Sequence, residues 1–181
     1  MSGLECMYRG DRKRFLFPGV ANRKVEVKFY TSAPSFTADT FFNFNAMSKY
    51  PNNPTIHDYS DDFVVQRDIN ENYVLVMTSY LIAPATGNYY FALACDDACV
   101  MYLGDERNLI IQSLNSNELM DYTGQPNQVS SHHYLTKGEK YYIEVVLREN
   151  TQADRMSLSM KIPGEPDKWQ LVTSRFLAPR Y

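Results

Sequence analysis

Alternation of apolar and polar positions organises much of this chain. "KVEVKFY" (24–30) sets Val25, Val27 and Phe29 against Glu26 and Lys28, the pattern of a half-buried strand. "NYVLVMTSYLI" (72–82) predicts a long strand, and "APATGN" (83–88) a turn punctuated by Pro84 and Gly87. "YYFALAC" and "ACVMYL" predict two more strands, followed by a turn at Gly104 and Asp105 and a strand at "NLIIQ" (108–112). "SSHHYL" (130–135), "KYYIEVVLRE" (140–149), "RMSLSMK" (155–161) and "KWQLVT" (168–173) complete the set, with "TKGE" a turn between the first two. "PSFTADTFFNFNAMSKY" (34–50) is ambiguous, since its phenylalanines keep no clean helical period. "YPNNPTIHDYSDD" (50–62) predicts a surface loop, and "SNELMDY" (116–122) one helical turn or two. Closely spaced strands with hairpin-like turns and no βαβ rhythm point to an all-β antiparallel sandwich or barrel with short helical turns in loops.

Composition narrows the function classes. The 181 residues fit one domain with a real core, expected over 1–181 as a unit excised from a larger protein. The charge of −3 without a basic block argues against nucleic-acid binding. No apolar run of membrane-spanning length appears, so no membrane insertion is expected. "MSGLECMYRG" lacks the apolar centre of a signal peptide, which leaves a cytoplasmic location open beside an excised extracellular domain. No Gly-x-Ser-x-Gly elbow or phosphate loop occurs, so no enzyme is expected.

One interruption stands out. Asp96 and Asp97 divide two apolar runs, flanked by Cys95 and Cys99. Adjacent carboxylates repel, and aspartate is depleted in strands. An extended path from Cys95 to Cys99 would cover roughly 13 Å, whereas a disulfide needs Cα atoms within about 7 Å. The two pair only if the Asp-Asp segment bulges or turns, and with Cys6 the count is odd. Two cysteines with one reachable histidine of the His132-His133 pair make an incomplete zinc set. Those histidines, adjacent on a strand, are expected one on the surface and one half-buried. Asp61-Asp62, near Asp58, reads as solvated loop charge, and Arg9-Gly10-Asp11 as a chance tripeptide among basic residues.

Two spaced segments carry a family resemblance. Pro84, Gly87, Tyr89 and Phe91, then Asp96-Asp97 and "VMYLG", resemble the core signature of the PA-fourteen domain, named from anthrax protective antigen. Leu135, Gly138, Tyr141 and Tyr142 resemble its second segment. "Leu-Arg-Glu" before a polar loop with Asp154 is similar to the fibrocystin-like branch.

The resemblance implies a calcium-dependent carbohydrate-binding module, a lectin or adhesin recognising a glycan or glycoprotein at a cell surface. In the yeast flocculin and epithelial-adhesin members the aspartate pair is joined by a cis peptide and binds calcium, which holds hydroxyls of a terminal sugar. Two carboxylates suit Ca²⁺, which takes 6–8 oxygens, and the ion removes their repulsion. The implied metal ligands are Asp96, Asp97, Asn150 and Asp154, with Asp96, Asp97, Gln152 and Arg155 toward the glycan. The chain departs from the pattern at Gln152, where flocculins carry Asp, and at Ala98, commonly Gly. The other reading is a metal-free structural or protein-interaction module of a large extracellular protein, its acid pair bonded to backbone amides of a bulge.

Overall fold

The computed structural model describes residues 22–44, 47–66 and 69–180. Cys6, "GLECMY" and the Arg9-Gly10-Asp11 tripeptide lie outside them. Twelve strands run β1 (Val25–Thr31), β2 (Ile56–Ser60), β3 (Val64–Val65), β4 (Tyr73–Ile82), β5 (Gly87–Asp96), β6 (Ala98–Leu103), β7 (Asn108–Ser113), β8 (His133–Leu135), β9 (Lys140–Glu149), β10 (Arg155–Lys161), β11 (Gln170–Leu171) and β12 (Leu177–Ala178). Two antiparallel sheets result. One has the order β2-β1-β4-β9-β6-β7 with β12 added to β4; the other has β11-β10-β5-β8 with β3 added to β10. Among the described residues helix is limited to single 3-10 turns such as Ala38–Thr40. Among the described residues no helix is long and apolar enough to cross a membrane.

The core lies between the sheets, and strand parity selects its members. Tyr89, Phe91, Leu93 and Cys95 of β5 face Ile143, Val145 and Leu147 of β9 there, with Phe29, Leu75 and Leu158. Removing one such leucine to alanine costs about 2–5 kcal/mol. A second apolar layer covers part of the outer face of the larger sheet, where Phe41 and Met47 pack on Val74, Val76, Val100 and Val146. On the outer face of the smaller sheet, Ala92 and Ala94 are short enough for Tyr122 to lie over them.

The Pro84–Phe91 motif has a local cause. The Tyr89 hydroxyl donates to the Ala85 carbonyl (2.8 Å) and accepts from the Ala85 N–H (2.9 Å), closing the turn. Gly87 sits at φ +146, and a Cβ there would stand 2.8 Å from Pro163, closer than packed atoms approach.

Several expectations change. Residues 50–62 are not all loop, because Ile56–Ser60 forms β2 on the free edge of β1. Residues 116–122 form no helix: Asn117 donates its N–H to the Cys95 carbonyl (2.7 Å) and Met120 to Ser157 Oγ (2.9 Å). Successive strands mostly do not form hairpins. β4, β6 and β9 lie in one sheet and β5 and β10 in the other, so the chain crosses between sheets at each of these steps.

Candidate functional site at the sheet crossing

The crossing from β5 to β6 uses one residue, Asp97. Asp96 ends β5 opposite Arg155 of β10. Ala98 begins β6 opposite Arg148 of β9. The Asp96–Asp97 peptide is cis. This turn brings the Cys95 and Cys99 Cα atoms to 6.2 Å, and the two sulfurs form a buried disulfide that staples the sheets. Their bonding to each other removes the thiolates that the zinc alternative required. His132 is exposed, and His133 is half-buried with its Nε2 enclosed and unpaired.

The loop 149–155, which is 53 residues further along the sequence, lies against the acid pair. The Asn150 N–H donates to Asp97 Oδ2 at 2.9 Å. The Asn150 side chain clasps Phe36, with Oδ1 accepting from its N–H (3.0 Å) and Nδ2 donating to its carbonyl (3.2 Å). Segment 69–73 ties the loop from beneath. Asn72 donates its N–H to the Asn150 carbonyl (2.7 Å), and the Gln152 N–H donates to the Glu71 carboxylate (3.0 Å). Asp154 is fully buried and accepts from the Ile69 and Asn70 N–H groups and the Tyr73 hydroxyl (2.7 Å). Burial first, then the Asp154 charge, pushes the Tyr73 phenol well above its ordinary range.

Arg155 is turned toward the acids rather than outward. Its Nη2 pairs with Asp96 (2.9 Å) and Glu118 (3.1 Å), and its Nε donates to the Asn117 carbonyl (3.0 Å). Only 8% of the residue is exposed. Gln152 is exposed, at φ +87.

One residue absent from the sequence-derived set dominates the electrostatics. Glu149 is 1% exposed, and neither carboxylate oxygen has a hydrogen-bond partner. Burial, then the Asp97, Asp154 and Asp96 charges, push its carboxyl up to about 9; the Asp97 backbone N–H pulls the other way but stands outside hydrogen-bond geometry. Parity in β9 could have located it, since Ile143, Val145 and Leu147 point between the sheets and Glu149 follows in phase. Glu118 and Glu71 carried no such signal, because irregular backbone places them.

The charge balance suits a cation. Asp96, Asp97, Asp154 and Glu149 crowd one end of the sandwich, and among the described residues Arg155 is the cation paired there. An unpartnered buried carboxylate is costly, and a hard divalent ion on oxygen ligands is the chemistry that offsets it. Among the described residues no three His, Cys, Asp or Glu side chains form a ready-made metal cluster. Further oxygens would therefore come from Asn150 Oδ1, which keeps an unused lone pair, from backbone carbonyls or from a ligand.

Comparison with known proteins agrees with this architecture. The PA14 domain family model matches residues 24–169. Human fibrocystin-L is 31% identical over 85 residues, 44% of this chain, which spans only 2% of that protein's length. The epithelial adhesin 6 A domain from Candida glabrata, solved in complex with Galb1-3GlcNAc, is similar in fold (TM-score 0.59, 12% identity, 89% of this chain and 90% of that one). So is the PA14 domain of the MpAFP antifreeze protein (TM-score 0.67, 10% identity, 94% and 96%). The PA14 sugar-binding domain of an RTX adhesin has TM-score 0.54 at 12% identity, covering 88% and 99%. With four fifths of its length inside the family model and the signature residues building the turn and the crossing, this chain belongs to the PA14 domain family.

Proposed function

We propose that the domain is a calcium-dependent carbohydrate-binding module acting at an extracellular surface, and not an enzyme. The observation that carries this reading is the buried Glu149, its oxygens without hydrogen-bond partners, beside two adjacent half-buried aspartates. Asp96 and Asp97 would hold the ion, with Asn150 contributing its amide oxygen. Asp154, engaged with residues 69–73, holds the loop that presents Asn150. Arg155 orients Asp96. Gln152, exposed in the same loop, would touch the glycan. Bound calcium supplies a Lewis-acidic centre for sugar hydroxyls. The sugar complexes of similar folds support the ligand class. The disulfide supports an oxidising compartment, as for a piece of a larger secreted or membrane-anchored protein.

A second reading has its own support. Asp96 is already paired with Arg155 and Asp97 with the Asn150 N–H, as in a metal-free scaffold that binds protein. A glycan array read in millimolar calcium and again with chelator separates the two. The lectin reading expects glycan signals that vanish with chelator. A blank array in both conditions, with capture of a protein partner unaffected by chelator, favours the scaffold.

A further inference from the structure

Away from the acid end, the outer face of the larger sheet carries charge of the opposite sign. A pocket of about 300 Å³ is lined by Arg23, Lys24, Lys28 and Arg180 around Glu26, with Tyr59 as a wall. Among the described lining residues four cations meet one carboxylate. Asp61, beside them, accepts the N–H groups of Asn22 and Arg23. The whole chain is net −3, so the patch runs against the overall charge.

Glu26 organises this cluster without neutralising it. Lys28 Nζ (3.5 Å), Arg180 Nη1 (3.3 Å) and His57 Nε2 (2.9 Å) all approach its carboxylate. Arg180 also donates to Thr78 Oγ1 and lies 5.0 Å over the Tyr142 ring, which fixes the direction of its guanidinium. Lys24 Nζ donates to the Ser174 carbonyl (2.8 Å). The cluster is separate from the acid crossing. Glu26 pairs with Thr78, whereas the register at the acid end is Thr31–Tyr73–Glu149. Five residues of strand separate the two, roughly 17 Å.

We propose that this pocket is a second ligand site, which takes the sulfate group of an acidic saccharide. Guanidinium forks match the oxygens of such groups in pairs, and ammonium groups add undirected charge. The volume admits a sugar ring, and Tyr59 lines the pocket beside the charge. The inference goes beyond the carbohydrate reading above and does not require calcium.

The test is calorimetric titration of the full chain, in chelator, with a heparin-derived tetrasaccharide, its desulfated counterpart and a poly-glutamate peptide of similar charge. The expected result is binding of the sulfated sugar alone. The Lys28→Gln/Arg180→Gln double variant should weaken it at least tenfold, and high salt should weaken it as well. Glu26→Gln should tighten it, a direction that loss of fold would not imitate. No binding, unchanged affinity in the double variant, or poly-glutamate binding as tightly as the sulfated sugar overturns the proposal.

Discussion

Arg148 and Glu149 are neighbours on β9, almost fully buried, and point to opposite faces of the larger sheet. Arg148 meets acceptors at both terminal nitrogens, although its Nε is enclosed without one. It donates to the carbonyls of Pro34, Thr40 and Phe41, and its guanidinium lies 4.6 Å over the Phe36 ring. One charge thereby fastens the 34–44 loop to the sheet. Glu149 meets other acids and no partner. The difference teaches how to read a buried charge. Where the fold supplies its partners, the charge is a staple. Where the fold supplies charges of the same sign, the group is a candidate for a partner from outside.

Arg148→Met breaks the satisfied side most severely. Three carbonyls lose a charged donor, which costs about 4 kcal/mol, and the melting temperature should drop by about 8–16 °C. A drop under about 2 °C would show that the loop is held without Arg148. Glu149→Gln should act in the opposite sense. In chelator it removes a buried acid among acids and stabilises by about 1 kcal/mol, with a gain of about 2–4 °C. Destabilisation in chelator would mean that Glu149 has the partner the structure denies it.

A smaller effect sharpens the same contrast at alkaline pH. Tyr30, on the Arg148 side, is pushed up to about 12 by burial first and by nearby Tyr50, Glu26 and Glu144 next. The folded chain keeps a proton that the unfolded chain releases near pH 10, so stability is retained below that point and falls as pH rises from about 10 to 12. Denaturant unfolding across this range should show the fall, and Tyr30→Phe should flatten it. An equal slope in the variant would assign the loss to other phenols.

Much of the fold was legible because alternation is a local signal. Val25, Val27 and Phe29 marked β1, and the apolar run at 72–82 marked β4 within a residue. β2 was hidden because Pro51 and Pro54 precede it and His57 and Asp58 lie within it, as an edge strand tolerates. Parity shows which face a residue takes but not which sheet its strand joins, so the Asp96-Asp97 segment read as a bulge or turn and not as a crossing between sheets. The site was legible as an acid pair with a loop. The engagement of Arg155, Asp154 and Asn150 was not, because register across β5 and β10 and the 69–73 segment decides it.

The most direct measurement is the melting temperature of the intact chain in saturating calcium and in chelator, beside Asp96→Ala. Stabilisation at a hundredfold excess over the dissociation constant is about 2.7 kcal/mol, so a rise of about 5–11 °C is expected, absent from the variant. Identical melting in both buffers would mean that the acid crossing binds no calcium.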